Sequence, residues 1–170
     1  MRLYAGKAPA IGQEVISRLK DDGDIDVDNA AEAQLDIEAV LKEYLRMDRE
    51  LTEKAKDVMD TRKLAYNQFA RIKRSMAEER NLPLGEESIS YIANQILEVL
   101  MHSPNVGEVF ADDSVLRSKI QVVLKKHMAV DQEVDLEVRN RIKNLEEGTA
   151  AWEVEYQKVM EQVKRKHKLA

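Results

Sequence analysis

Hydrophobic residues recur at alternating spacings of four and three along a long stretch of this 170-residue sequence. A four-three spacing places its members on one side of an α-helix and is typical of helices that pack by knobs-into-holes contacts. No glycine or proline interrupts the chain between Asp24 and Leu82. The pattern therefore predicts one helix over about 29–80, on the order of 75 Å long. The positions of this seam are Ile37, Leu41, Tyr44, Asp48, Leu51, Ala55, Val58, Arg62, Ala65, Phe69, Ile72 and Met76.

The same seam returns in the second half of the chain, where it predicts another long helix over about 113–168. Ile120 corresponds to Ile37 at an offset of 83 residues, but beyond 146–149 the offset grows to 87. An insertion of four residues in a heptad pattern is a stutter, and Gly148 favours a kink or a short break of the helix there. The positions of the second seam are Ile120, Leu124, His127, Asp131, Val134, Val138, Arg141, Leu145, Trp152, Tyr156, Val159 and Val163.

Shorter helices are predicted before each long one, over about 9–20 and 86–102. IGQEVISRL at 11–19 resembles IANQILEVL at 92–100, in the same order as the two seams. Two similar segments in the same order favour a duplication, although two amphipathic helices can also resemble each other by chance. We expect an all-α, elongated, coiled-coil-like protein whose related halves, residues 1–81 and 82–170, each contain a short helix, a link and a long helix.

Four charged residues occupy positions in the two seams. Charges in a helix seam cost stability and often determine which helices pair, and in which alignment. One hypothesis is that the long helices run antiparallel, so that Asp48 approaches Arg141 or Asp131 approaches Arg62. The alternative is that these side chains extend into solvent at an exposed end of the helix.

The link before the first long helix, DDGDIDVDN at 21–29, has the alternating aspartates of a calcium loop. In an EF-hand, glycine at the sixth position and glutamate at the twelfth accompany such aspartates, and no alignment of this segment provides both. We therefore predict a turn, a short extended piece and a helix N-cap in which Asn29 and Glu32 form a variant capping box, with a weak calcium site as the alternative. The apolar residues of the extended pieces in the two halves are Ile25, Val27, Val106, Val109 and Phe110.

Composition excludes several kinds of chemistry. The sequence contains no cysteine, which removes disulfides, thiolate nucleophiles and cysteine-bound zinc. Its three histidines are scattered, and His127 is expected beside the core. No glycine-rich phosphate loop, di-iron E-x-x-H motif or nucleophile elbow is present. The sequence therefore predicts a non-enzymatic protein without a cofactor or metal. Because it also lacks a signal peptide and a membrane-spanning run, we expect a cytoplasmic location without membrane association.

Charge is unevenly distributed, although the net charge is only −5. Basic residues concentrate near the predicted C-terminal ends of the two long helices. They either complement those helix ends or form a surface for an acidic partner or a nucleic-acid backbone. Aromatic residues nearby mostly fall on the seams and are expected in the core. The candidate basic patch comprises Arg71, Lys73, Arg74, Lys164, Arg165 and Lys166.

The most favoured function from these patterns is an interaction or scaffolding protein that holds a protein partner through its long helices and charged ends. Polar seam positions often determine oligomeric state, so a homodimer is also possible. An RNA- or DNA-associated protein that docks through the basic clusters is the alternative.

The opening residues MRLYAGKAP, followed by the repeated layout of helix, link and long helix, carry a resemblance to a known family. Over essentially the whole chain, the sequence resembles the bacterial domain-of-unknown-function family numbered 507. The resemblance implies a bacterial, cytoplasmic, helical protein. It supplies no catalytic or binding residues, because no activity is established for that family.

Overall fold

The computed structural model describes residues 3–167, and for Val130 and Asp131 it describes the backbone alone. The described chain is predominantly α-helical, with one small sheet and short 3₁₀ turns at Ala5–Lys7 and Tyr66–Gln68. This confirms the predicted all-α class, whereas the coiled-coil-like pairing stays a prediction. None of its helices is long and apolar enough to cross a membrane. The main elements are α1 (Ala8–Asp21), β1 (Ile25–Val27), α2 (Ala30–Arg62), α3 (Phe69–Glu79), α4 (Glu87–His102), β2 (Val106–Val109), α5 (Asp113–Arg141) and α6 (Ala150–Lys166).

Four of the helices form a bundle around the main core. Helices α1 and α4 each pack against both α2 and α5, whereas α2 and α5 do not pack along each other. Ile11 and Ile37 in the first half, and Ile92 and Ile120 at the corresponding positions of the second, are each 0% exposed. Burial of such a side chain contributes about 2 kcal/mol, so these positions of the short helices and of the seams stabilise the bundle within one chain.

The order of short helix, strand, long helix and second helix occurs twice along the chain. Exchange of the two halves leaves the main helix contacts unchanged, as in an internal twofold arrangement. The two strands also pair antiparallel across the halves, with Ile25 opposite Val109 and Val27 opposite Val106. Both halves contribute to one core, and their division at residues 81 and 82 stays a prediction.

The prediction of one continuous helix over about 29–80 is wrong. Helix α2 ends at Arg62, and Lys63 adopts a left-handed conformation with φ of 50°. The chain then turns, and α3 packs back against α2. Phe69 and Met76 continue the four-three spacing, but they lie on α3, a separate helix, and not on a continuation of α2. Spacing alone does not distinguish a continued helix from one that folds back, and here neither glycine nor proline marks the turn.

The second long helix, predicted over about 113–168, is also two helices. Helix α5 ends at Arg141, and α6 begins at Ala150 and packs against α5. The Thr149 hydroxyl caps α6 by accepting a hydrogen bond from the Trp152 N–H at 3.2 Å. The predicted stutter at 146–149 falls within the connecting segment, where Gly148 has φ of +88°. Of the two predicted alternatives, a kink or a short break, the structure therefore has the break, and the chain folds back after it.

The predicted link is confirmed in its main features. Strand β1 forms at the first extended piece, and the Asn29 side chain accepts a hydrogen bond from the Glu32 N–H at 3.2 Å. Asp22 and Asp24 both pair with Lys119 of α5, which neutralises part of the acidic segment. Phe110 follows β2 and is 56% exposed, so it does not contribute to the core as the other apolar link residues do.

Candidate functional site

An open cleft of about 830 Å³ lies between the two helical hairpins, α2–α3 and α5–α6. Its lining includes residues that precede α1 and residues at the start of α4, and its walls come from the C-terminal halves of α2 and α5. Ligand sites in proteins are typically concave surfaces of this size with apolar walls and a few converging polar groups. The side chains that give the cleft its chemistry are Leu45, Asp48, Arg49, Thr52, Lys56, Tyr66, Phe69, Lys73, Met128, Gln132, Asp135, Leu136, Arg139, Glu147, Trp152, Glu153 and Tyr156.

The two walls of the cleft come from equivalent positions of the two halves. Leu45 corresponds to Met128 at the offset of 83 residues, and Lys56 corresponds to Arg139 at the same offset. The internal twofold arrangement thus brings two copies of one helix face together. Sequence reasoning missed this site, although the repeat and the matched cations Lys56 and Arg139 were a usable signal.

Aromatic side chains form two stacked pairs, one on each hairpin. The rings of Tyr66 and Phe69 have centroids 5.8 Å apart with an interplanar angle of 16°. Those of Trp152 and Tyr156 are 4.8 Å apart at 20°. Only Tyr156 is buried, and the other three are half-buried along the cleft. The expectation that these residues lie in the core holds for Tyr156 and in part for Trp152, which packs against the core between α5 and α6. It is wrong for Tyr66 and Phe69, because the chain turns before them instead of continuing as one helix.

Arg139 lies beside the second aromatic pair and is held in place by two carboxylates. Its guanidinium carbon is 5.3 Å from the Trp152 ring centroid, its Nε lies 2.9 Å from Asp135, and its Nη1 lies 2.8 Å from Glu147. Burial lowers the pKa of Arg139, but the hydrogen bonds to Glu147 and Asp135 outweigh it and leave the pKa above its ordinary value. This cation is already bound within the protein.

Two contacts join the hairpins directly. Lys56 of α2 forms an ion pair with Glu153 of α6, and this hydrogen bond raises the pKa of Lys56. The Tyr66 ring lies against Gly148, where a Cβ atom would overlap the ring. Glycine is required at 148 for this close approach as well as for its positive φ. Together the contacts hold the two sides of the cleft at a defined separation.

Most charges in the cleft are neutralised by a neighbour. The Lys73 ammonium lies 2.8 Å from an Asp48 oxygen, across α2 and α3. Arg49 is exposed, and no ion pair involving it is found among the described residues. A polyanion that entered the cleft would have to replace the carboxylates that now hold Lys56, Lys73 and Arg139.

The predicted basic patch is divided between α3 and α6. Lys73 is paired as described, Lys164 lies 4.4 Å from the centroid of the Tyr4 ring, and Lys166 lies 3.4 Å from Glu137. The remaining members, Arg71, Arg74 and Arg165, are exposed, and within residues 3–167 they form no ion pair. Lys73 lines the cleft, as does the Tyr4 ring beneath Lys164.

The ion pairs predicted between the long helices do not form among the side chains that the structure describes. Asp48 pairs with Lys73, while Arg141 lies 2.7 Å from Glu137 on its own helix. Arg62 is exposed at the end of α2, where the described residues offer it no ion pair, and the side chain of Asp131 lies outside the described part of the structure. The physical reason is that α2 and α5 do not pack along each other, and that the cleft lies between their C-terminal halves.

His127 lies beside the core, as predicted, and connects α1 to α5. Its Nε2 is 2.6 Å from Glu14, which also accepts a hydrogen bond from Lys126 at 2.8 Å. Burial alone would raise the pKa of Glu14, but the bonds to Lys126 and His127 hold it below the ordinary value. Among residues 3–167, no group of three His, Cys, Asp or Glu side chains is arranged to hold a metal ion.

Comparison with known families agrees with the resemblance carried by the opening residues. The family described as "Protein of unknown function (DUF507)" has a sequence model that matches residues 1–169. The chain belongs to this family. A search of curated proteins found none that matches this chain. The family assigns no activity, so any function must be inferred from the cleft and from the surfaces around it.

Proposed function

We propose that this member of the family is a non-enzymatic, cytoplasmic interaction protein that holds a segment of a partner protein in the cleft between its hairpins. The observation that carries the proposal is the lining of the cleft by two aromatic pairs and by mutually paired charges. Aromatic rings supply contact area at a low cost in conformational entropy, and they are enriched at protein interfaces. Because the charges of the cleft are paired with one another, its walls present polar groups but no strong electrostatic field of one sign.

The seams contribute to this function indirectly. Their buried residues stabilise the four-helix bundle and cannot bind a partner without unfolding it. The exposed Leu136 is different, because it lies on α5 within the cleft and is 52% exposed. A partner segment that entered the cleft would cover this side chain. The proposed scaffold surface is therefore the space between the hairpins and not the helix seams.

The test compares two substitutions of exposed apolar residues by glutamate. Leu136→Glu introduces a charge into the cleft, whereas Val154→Glu changes a residue of α6 that is 66% exposed and does not line the cleft. Tagged wild-type protein and both variants are used to capture partners from a native lysate treated with nuclease. We expect a defined protein partner with wild type and Val154→Glu, and its loss with Leu136→Glu. Equal capture by all three would contradict binding in the cleft.

A nucleic-acid-associated function is the second candidate, because Arg71, Arg74 and Arg165 are exposed and form no ion pair within the described chain. These side chains can bind phosphate without breaking an internal ion pair. Replacement of all three by glutamine should weaken binding to RNA or DNA and reduce the dependence of log K on log salt by roughly 0.7–0.9 for each phosphate that the variant no longer neutralises. Arg46→Gln is the matched control, since Arg46 is already held by Glu43 and Glu50. Binding that is insensitive to salt would exclude this candidate.

A further inference from the structure

A second concave surface lies outside the cleft, between α2 and α4. This groove has a volume of about 340 Å³ and is lined mainly by apolar side chains. Ala39 is exposed at its edge, and the other apolar side chains of its walls are at least partly accessible, apart from the buried Tyr44 and Ile92. Its accessible lining includes Asp36, Ala39, Val40, Glu43, Met47, Tyr91 and Gln95.

The surface related to this groove by exchange of the two halves lies between α5 and α1, and it is closed by polar contacts. There Glu14 binds Lys126 and His127 across the two helices. The corresponding positions at the open groove are Gln95, Glu43 and Tyr44, and no contact of this kind joins them. Glu43 instead binds Arg46 on its own helix, at 2.7 Å. The internal repeat thus shows that the fold can close such a surface with charged side chains between α5 and α1, whereas the surface between α2 and α4 has no such contacts.

Acidic side chains follow one edge of the open groove. Asp36 and Glu43 line it directly, and Glu32 lies one helical turn before Asp36 on the same face of α2. Residues 25–38 contain no lysine or arginine. Asp36 accepts hydrogen bonds from the neutral side chains of Ser103 and Asn105, so its charge is not balanced by a cation within the described residues.

We propose that the groove between α2 and α4 docks a basic amphipathic helix of a partner protein. Apolar side chains at helical spacing would contact Val40, Met47 and Tyr91, as in other complexes in which a helix lies in a groove. Lysine or arginine residues flanking them would face Glu32 and Asp36. From Asp36 to Met47 the groove extends about 16 Å, or about three turns of a bound helix. The buried Tyr44 lies between this groove and the cleft, and the other residues that line the two surfaces are different.

The experiment selects peptides from a displayed random library, each about four helical turns long, on the intact protein. We expect the enriched peptides to be basic and to carry apolar residues at helical spacing. Ala39→Trp fills the groove from an exposed position and should lower the affinity of these peptides by at least about tenfold. The matched control is Val122→Trp, at the equivalent position of the closed surface, where the side chain is 48% exposed. This control should bind like wild type.

A second pair of variants tests the charge. Glu32→Lys combined with Glu43→Lys should weaken binding of the same peptides, whereas the same change at the exposed Glu53 and Glu133, which line neither surface, should not. Circular dichroism confirms that each variant is folded. Three results would each overturn the proposal. The first is enrichment of acidic or neutral peptides, and the second is that no peptide is enriched on wild type relative to Ala39→Trp as bait. The third is loss of binding with Leu136→Glu but not with Ala39→Trp. The last result would place the peptide in the cleft instead.

Discussion

The Nζ atom of Lys73 lies 2.8 Å from Oδ1 of Asp48, and this ion pair joins α3 to the middle of α2. Both side chains are partly shielded from solvent, with 20% of Lys73 and 34% of Asp48 exposed. The pair explains why a charged residue is tolerated within the helix seam. Asp48 has an ion-pair partner in the same chain. That partner lies on α3, whose residues the seam pattern alone predicts to continue α2 away from Asp48.

Charge exchange should therefore couple residues 48 and 73. We expect Asp48→Lys and Lys73→Asp to destabilise the protein individually, and the double variant to recover about 0.5–1 kcal/mol of coupling energy, a small value because water screens the pair. Urea unfolding of all four proteins measures it. Asp48→Lys with Arg141→Asp serves as the control and should show no coupling, because these two residues have other partners. Coupling with Arg141 and none with Lys73 would contradict the hairpin.

Gly148 should not tolerate a side chain. Gly148→Ala is expected to lower the free energy of unfolding by about 1–3 kcal/mol, because the Cβ atom would overlap the Tyr66 ring and the backbone has a positive φ. In a Tyr66→Ala background the overlap disappears and only the conformational cost remains, so the loss should be smaller. Chemical denaturation in both backgrounds checks this. Equal losses would show that the ring does not lie against Gly148.

Lys63 ends α2 in a left-handed conformation, with φ of 50°. Since glycine adopts this conformation without the steric cost borne by other residues, Lys63→Gly should stabilise the protein by up to about 1 kcal/mol. Asn81 has a similar φ of 52°, but asparagine tolerates the region better, so Asn81→Gly should have a smaller effect. Thermal unfolding of the two variants makes the comparison. A stability loss on Lys63→Gly would show that the chain does not turn at this residue.

Tyr44 should titrate at unusually high pH. Burial raises the pKa of its hydroxyl from 10.0 to about 12, and the hydroxyl donates a hydrogen bond to the Pro83 carbonyl at 2.8 Å. Because the folded-state pKa is above the unfolded value, the associated stability is present below about pH 10 and is lost as the pH rises towards 12. The ultraviolet difference titration between wild type and Tyr44→Phe should show a single late step. A midpoint near 10 would contradict burial of this hydroxyl.

Much of the fold is predictable from the sequence for physical reasons that are local. The short helices are marked by amphipathic spacing, and their predicted bounds of 9–20 and 86–102 agree closely with Ala8–Asp21 and Glu87–His102. The acidic link could be distinguished from a calcium loop because ligand geometry demands residues that this segment lacks. The helix cap formed by Asn29 is also predictable, because its side chain needs only one hydrogen-bond donor, the backbone N–H of Glu32 three residues away.

The amino-acid pattern by itself determined the helical class, the internal repetition and many of the buried positions of the bundle, because burial needs only the right side chains at the right period. The tertiary structure alone decided that the chain turns after α2. At Lys63 an ordinary residue ends α2, since packing of α3 against α2 outweighs the cost of the left-handed turn. The cleft exists because both hairpins fold back. Tyr66 and Trp152 lie far apart in sequence, and this folding brings them to one site. No local rule encodes a contact between residues whose separation depends on the complete fold.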